Sequence, residues 1–170
     1  MRRVLYWISG FLPCRIIGSD GNPYLERYYL LTALGVRVYL HRFLASDPDR
    51  GYHDHPWPWA ISIVLAGWYW ERRRGRAHAV RWVNVLTGDT FHRVELPAPP
   101  ARQADGRACV WTLFVHRAVD AKEWGFIRDV GPAGMLYTPC SFPRADRETL
   151  ASTWFKQVQR GRQEPRRAPL

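Results

Sequence analysis

Six short runs rich in β-branched and aromatic residues follow one another along the chain, and no helical pattern separates them. They span residues 26–31, 36–43, 59–71, 79–86, 90–96 and 109–116. Turn signals lie between the runs, as in the segment 47–51 and the loop 97–106. Strands at this spacing predict an all-β chain, folded as an antiparallel sandwich or small barrel. A chain of 170 residues is long enough for one domain with its own core.

Helix signals occur only at the ends of the chain. Residues 145–159 place several apolar side chains on one face, Trp154 and Phe155 among them, which predicts a C-terminal helix packed against the barrel. The final segment, residues 157–170, is rich in Arg, Gln and Pro, and we expect a basic disordered tail there. The expected organisation is therefore a single domain over residues 1–156, followed by this tail.

The chain carries a formal net charge of +10, from 25 Lys and Arg residues against 15 Asp and Glu. Only Lys122 and Lys156 are lysines, so arginine supplies nearly all of the positive charge. A basic balance favours anionic partners, such as phosphates or nucleic acid. The chain has no zinc-finger, helix-turn-helix or RNA-recognition signature. We therefore expect a small anionic molecule as the partner and no specific nucleic acid.

The N-terminal segment has some features of a short signal peptide but lacks others. Arg2 and Arg3 precede an apolar stretch, yet a Ser and a Gly interrupt it, and Pro13 stands before Cys14, where a small residue is usual. No run approaches the roughly 20 apolar residues that a membrane-spanning helix needs. We therefore expect a cytoplasmic protein with no membrane partner, whose N-terminal segment packs on the body of the fold.

The segment GYHDHPW, residues 51–57, carries the sharpest local signal. If it is extended, His53 and His55 point to one side and Asp54 to the other, because side chains alternate along a strand. Two imidazoles placed in this way can hold one divalent metal ion, and a pair of surface histidines is the alternative. A third imidazole, His92, lies just after a turn and inside a predicted strand.

The order and spacing of these residues resemble the two motifs of the cupin superfamily, whose members are small β-barrels. The matching residues are His53 and His55, then Gly67 about a dozen residues on, then a Gly-Asp-x-x-His stretch that ends at His92. The resemblance covers residues 36–116, about half of the chain. It implies a cupin-type antiparallel β-barrel, also called a double-stranded β-helix or jelly roll.

Two departures from the cupin pattern bear on the site. Only Tyr52 separates Gly51 from His53, where the pattern has five residues. The position of the motif glutamate falls at Trp59 or Ala60, and neither side chain binds a metal. The ligand set that the resemblance implies is therefore three histidines alone.

Three neutral imidazoles leave the full charge on a bound ion and open positions for substrate or water. Some cupin-like thiol and diketone dioxygenases use iron(II) on three histidines. The resemblance therefore implies a divalent metal, with Fe(II) favoured over Zn or Ni, in a mononuclear dioxygenase acting on a small anionic molecule. Two alternatives stay open: a cupin isomerase or dehydratase of the sugar-nucleotide type, and a non-catalytic cupin that binds a small ligand or partner. Because many cupins are dimers, the apolar segment 4–12 also suggests a homodimer.

Six further residues are candidates for the cavity of such a barrel. The catalytic candidates are Tyr69 and Arg42, and the substrate-binding candidates are Tyr28, Tyr39, His41 and Trp57. His41 shares a strand face with polar and aromatic residues, which indicates either a wet pocket or solvent. Glu71 is interpreted as part of a surface ion pair with the arginines that follow it, and His116 as a surface residue at a strand end.

Overall fold

The computed structural model describes residues 1–19, 21–97, 109–140 and 153–170. One α-helix, α1 (Arg2–Ser9), precedes the strands of this described part. The strands are β1 (Cys14–Ser19), β2 (Asn22–Ala33), β3 (Val36–Phe43), β4 (Tyr52–His53), β5 (Trp59–Ala66), β6 (Tyr69–Arg73), β7 (Arg76–Val80), β8 (Val83–Thr87), β9 (His92–Glu95), β10 (Val110–Arg117), β11 (Gly125–Asp129) and β12 (Met135–Pro139). No helix among these residues is long and apolar enough to span a membrane.

The strands form two antiparallel sheets of six strands each. The first sheet has the order β1-β2-β3-β10-β5-β8, and the second has the order β12-β11-β4-β9-β6-β7. From β3 to β6 and again from β7 to β11, the chain passes back and forth between the two sheets. This connectivity confirms the predicted all-β fold of the double-stranded β-helix kind.

The predicted strands agree with the observed ones where apolar and polar residues alternate regularly. The run 36–43 is β3 without change. The run 59–71 is broken at Gly67, whose positive φ of 88° turns the chain from the first sheet into the second. The sequence analysis missed β1, β11 and β12, which are short or interrupted by Arg, Gly and Pro.

Apolar clusters pack on both faces of the first sheet. Its inner face packs against the second sheet through two apolar clusters, one around Phe43 and Tyr69 and one around Tyr39 and Phe114. Its outer face carries a third cluster, in which Tyr28, Leu40 and Trp111 pack against side chains of α1. Alternation along β3 therefore sends Tyr39, His41 and Phe43 inward and Leu40 and Arg42 outward.

The C-terminal segment differs from the sequence-based expectation. Residues 145–152 of the predicted helix lie outside the described residues, and the described part of it forms a 3₁₀ turn at Trp154–Lys156. The tail expected to be disordered packs on the outer face of the first sheet. The backbone N–H of Ala168 donates to Oε1 of Glu26 at 2.7 Å, and Arg42 Nη1 donates to the carbonyl of Ala168 at 2.8 Å. Glu26 is fully buried, so its carboxylate needs hydrogen-bond donors. The composition of the tail alone does not show that its backbone supplies one of them.

Candidate metal centre

The three predicted histidines lie together on neighbouring strands of the second sheet. His53 ends β4 and lies opposite His92, the first residue of β9, while His55 follows two residues after His53. One ring nitrogen from each of the three lies within 4.8 Å of the others. The Nε2 atoms of His55 and His92 are 2.9 Å apart.

Two glycines allow the backbone approach that this grouping requires. Gly51 has a φ of 95°, and a side chain there would collide with the carbonyl oxygen of Ile127 on β11. Gly88, in the turn before β9, leaves room for the carbonyl of Trp57, which a Cβ atom would meet at 2.7 Å. The glycines therefore let the chain before β4 lie close to β11 and the turn before β9 lie close to the segment after His55.

Buried carboxylates lie behind two of the three imidazoles. Oε1 of Glu71 is 3.1 Å from Nδ1 of His92, although the ring N–H is not well aligned with it. Oδ2 of Asp47 is 3.8 Å from Nδ1 of His53. In metalloproteins, a carboxylate at this position fixes the tautomer and orientation of a ligating histidine. Asp54 points the other way, as alternation predicted, and bonds to Lys122 at 2.7 Å.

Glu71 is a correction to the sequence analysis. The predicted ion pair with a following arginine is present, but its predicted surface position is wrong, because the Glu71 side chain is fully buried on the inner face of β6. Asn84 Nδ2 donates to its Oε1 at 2.6 Å, and Arg73 Nε donates to its Oε2 at 2.8 Å. Burial raises the pKa of Glu71, but His92, Asn84 and Arg73 together outweigh it and hold that pKa at about 2. The carboxylate is therefore ionised at neutral pH.

Burial also keeps the imidazoles of His53 and His55 neutral. Desolvation, followed by the proximity of His92, holds the pKa values of His53 and His55 well below the ordinary range. A neutral imidazole offers a free nitrogen lone pair, which is the form that binds a metal ion. Desolvation also raises the pKa of Asp47.

A cavity of about 1070 Å³ adjoins the three histidines between the two sheets. Four of the predicted residues line it, namely Tyr39, His41, Trp57 and Tyr69. Five cationic side chains and three carboxylates of the described residues also line it, so its charged wall has an excess of cations. These features suit a small anionic molecule with an apolar part.

The other two predicted residues, Arg42 and Tyr28, do not reach the cavity. Arg42 lies on the outer face of the first sheet and pairs with Glu26 at 3.2 Å. The Tyr28 hydroxyl donates to Oε2 of Glu26 at 2.6 Å, and its ring stacks on Trp111. Both side chains point to the outer face of the first sheet, Tyr28 from β2 and Arg42 from β3. The structure therefore does not place them at the cavity, where the sequence predicted catalytic and substrate-binding roles for them.

Two residues of the cavity region were missed or misplaced by the sequence analysis. Arg27 lies opposite His41 in the β2–β3 register, lines the cavity, and donates from Nε to His41 Nε2 at 3.0 Å. Alternation along the predicted strand 26–31 puts Arg27 on the face opposite to that of Glu26 and Tyr28, and this face is the inner one. The surface position predicted for His116 is wrong, because the residue is fully buried and its ring stacks on Trp57 with a centroid distance of 3.7 Å.

Comparisons with known proteins give similarity in fold but not in sequence. No protein-family model and no curated protein matches the chain. A cupin-2 domain from Rhodospirillum rubrum superposes with a TM-score of 0.51 at 13% identity, covering 85% of each chain. A cupin-like protein from Thermotoga maritima superposes with a TM-score of 0.50 at 18% identity, covering 72% of this chain and 91% of that one. With its two antiparallel sheets and this topology, the chain has the double-stranded β-helix fold of the cupin superfamily.

Proposed function

We propose that this chain binds one divalent metal ion through His53, His55 and His92 and acts on a small anionic molecule in the adjoining cavity. The observation that carries the proposal is the convergence of three ring nitrogens within 4.8 Å of one another at the wall of that cavity. Chance pairs of surface histidines lack both the third imidazole and the buried surroundings.

The donor set fits a divalent ion. Metal–nitrogen bonds of about 2.0–2.1 Å place two imidazole nitrogens about 2.9 Å apart when they bind at right angles. The Nε2 atoms of His55 and His92 have this separation. Glu71 and Asp47 lie on the Nδ1 sides of His92 and His53, which leaves the Nε2 atoms of those two rings for the ion.

Arginine side chains support an anionic substrate. Arg27 and Arg37 line the cavity, and the Arg27 guanidinium lies 5.0 Å from the ring centroid of Tyr39. Burial lowers the pKa of Arg27, but an arginine remains charged at neutral pH. Because its Nε is already bonded to His41, its terminal nitrogens are the ones that would bind a carboxylate or phosphate.

The chemistry divides between the ion and the protein side chains. When bound, a divalent ion supplies Lewis acidity, and iron(II) also supplies a redox couple. Arg27 binds and orients the anionic group, while Trp57 and Phe126 keep part of the cavity apolar. Burial raises the pKa of Tyr69 to about 12, so its hydroxyl keeps its proton at neutral pH and acts as a hydrogen-bond donor. His41 is held neutral by desolvation, which lowers its pKa well below the usual value, and accepts a hydrogen bond from Arg27.

Within this class, we propose an iron(II) dioxygenase, because the three ligating groups are uncharged and the two nearby carboxylates are engaged elsewhere. An isomerase or dehydratase reaction would use the same ion and cavity without consuming oxygen. A non-catalytic ligand-binding protein would use the cavity alone. Metal content and oxygen consumption therefore distinguish the three.

The first experiment is elemental analysis of chelator-treated protein after anaerobic incubation with iron(II), zinc or nickel. We expect about one ion per chain, and none in the variant His53→Ala/His92→Ala. His78→Ala is the histidine control outside the three-histidine group; because His78 Nε2 lies 3.2 Å from Oε2 of Glu71, we expect this variant to bind the ion less tightly but still to retain about one per chain. If neither protein retains a metal, the metal-dependent function is wrong and the cavity serves binding alone.

The second experiment tests the substrate class and the reaction. Small carboxylates and phosphates should raise the melting temperature of the protein, and Arg27→Gln should abolish that effect. Arg74→Gln changes an arginine in the β6–β7 turn and should not. Oxygen uptake by the iron-loaded protein with the stabilising compounds would support the dioxygenase, whereas conversion without oxygen uptake would favour the isomerase or dehydratase.

A further inference from the structure

Helix α1 and the turn that follows it present apolar side chains to solvent on the side that points away from the fold. Four of them are exposed, namely Val4, Trp7, Ile8 and Phe11. Trp7 is 67% exposed, and its ring meets that of Phe11 edge to face with centroids 4.9 Å apart. The opposite side of the segment carries Leu5 and Leu12, which pack in the outer cluster of the first sheet. The segment therefore has apolar side chains on both sides. One set packs against the sheet, and the other faces solvent.

Most of the net charge of the chain comes from two segments that meet at this exposed stripe. Residues 1–19 and 153–170 contain eight Lys and Arg residues and a single Glu, an excess of seven positive charges out of the net +10. The one carboxylate, Glu164, is already paired with Arg166 at 3.0 Å. These two segments make up about a fifth of the chain, but not all of their charge lies at the stripe, because Arg15 lines the cavity.

Contacts between the two segments bring the arginines to the edge of the apolar stripe. The guanidinium of Arg162 lies over the ring of Phe11, 3.8 Å from its centroid. Arg160 Nη1 donates to the carbonyl oxygen of Phe11 at 2.6 Å. Arg3 is exposed one helical turn before Trp7. We call Val4, Trp7, Ile8 and Phe11, with the exposed arginines Arg3, Arg160 and Arg162, the α1 face.

We propose that the α1 face docks on an anionic lipid bilayer, with α1 lying in the plane of the membrane interface. A Trp and a Phe are side chains that the interfacial region favours, and arginines beside them bind lipid phosphates and neutralise the negative surface. The sequence-based expectation of no membrane partner rested on the length needed to span a bilayer. A helix that lies on the surface needs no such length.

A second copy of the chain fits this face less well than a bilayer. A twofold dimer through α1 would place the same patch on both sides of the interface. Each patch has three exposed arginines and no carboxylate among its residues, so the two would repel each other. An anionic bilayer supplies the opposite charge. The proposal does not depend on the proposed function, because the α1 face lies on the outer side of the first sheet and the cavity lies between the sheets.

Vesicle co-sedimentation of the full chain tests the proposal. We expect binding to vesicles of phosphatidylcholine mixed with phosphatidylglycerol, weak binding to phosphatidylcholine alone, and a loss of binding as salt is raised. Trp7→Ser should weaken binding about tenfold. The matched control is Trp82→Ser, because Trp82 is 78% exposed between β7 and β8 and is not one of the residues of the α1 face. Circular dichroism and melting temperature of each variant establish that it is folded.

A charge-reversal pair tests the electrostatic part. Arg3→Glu/Arg162→Glu should weaken binding by more than about 20-fold, at about fivefold for each arginine removed. Arg74→Glu/Arg76→Glu makes the same charge change at the β6–β7 turn and should have a much smaller effect. Equal binding to neutral and anionic vesicles, no binding to either, or equal losses in Trp7→Ser and Trp82→Ser would overturn the proposal. Light scattering that shows a dimer dispersed by Trp7→Ser, with no vesicle binding, would identify the face as an interface between copies.

Discussion

Lowering the pH should destabilise the protein through His116, a histidine buried beneath the cavity wall. The residue is fully buried, and its Nδ1–H donates to the carbonyl oxygen of Arg117 at 2.6 Å. Its Nε2 atom is buried without a hydrogen-bond partner, so a proton there would have no acceptor. Desolvation is the main reason that its pKa falls from 6.5 to about 3, and the nearby Arg27 and Arg37 add to the effect.

The sign and size of the effect follow from this shift. The folded state holds His116 neutral, whereas the unfolded chain takes up a proton as the pH falls below about 6.5. The stability that depends on the neutral form is therefore complete above that pH and is lost towards pH 3. Between pH 7 and pH 5 the loss is about 2 kcal/mol, from about 1.5 pH units at 1.36 kcal/mol each.

Urea unfolding of chelator-treated protein at pH 7 and pH 5 measures this loss, with His116→Phe as the comparison. The phenyl ring retains an aromatic contact with Trp57 and cannot be protonated. It also leaves the Arg117 carbonyl without its donor, at a cost of about 1 kcal/mol that is the same at both pH values. Other buried histidines lower the stability of both proteins at pH 5. We therefore expect the wild-type protein to lose about 2 kcal/mol more than the variant. Equal losses would refute the reasoning.

Three further results are expected. Glu26→Ala leaves the Arg42 guanidinium buried without its carboxylate and should lower the free energy of unfolding by about 3–5 kcal/mol, measured in urea at pH 7; a loss below about 1 kcal/mol would contradict the assigned network. The Cys14 thiol, whose pKa burial raises to about 12, should resist iodoacetamide in the folded protein and react after denaturation, as followed by peptide mass spectrometry; equal rates would be inconsistent with its burial. Glu71→Gln should weaken metal affinity by about 10–100-fold in a chelator competition, and Glu95→Gln, on the outward side of β9, should not; equal effects would count against a positioning role for Glu71.

The sequence predicted those parts of the fold and site that depend on local alternation. His53 and His55 share a side because residues alternate along an extended strand, and the same rule put Tyr39 and His41 on one face of β3, which the structure turns towards the cavity. It did not determine which side of a predicted strand faces inward when both sides carry polar or aromatic residues. Arg42 was assigned inward for this reason, although a buried glutamate holds it on the outer face.

Features that depend on contacts between distant segments of the chain could not be predicted from the sequence. The tail is basic and rich in Pro, which is typical of disorder, yet its backbone satisfies the buried carboxylate of Glu26. His116 follows an apolar run, and only the position of Trp57 shows that its ring is stacked and dry. In both cases the decisive partner lies more than fifty residues away along the chain.

Glu71 also resolves the missing carboxylate of the cupin pattern. The expected position falls at Trp59 or Ala60, which suggested a site without any negative charge. The structure places a buried carboxylate 3.1 Å from the Nδ1 atom of His92 instead. Because Asn84 and Arg73 already bind both of its oxygens, Glu71 is poorly placed to ligate an ion and well placed to orient the ring that does. The proposed ligands therefore remain the three imidazoles, and the negative charge behind His92 would make its ring a stronger donor. Such a site would hold a divalent ion firmly and still leave coordination positions open towards the cavity.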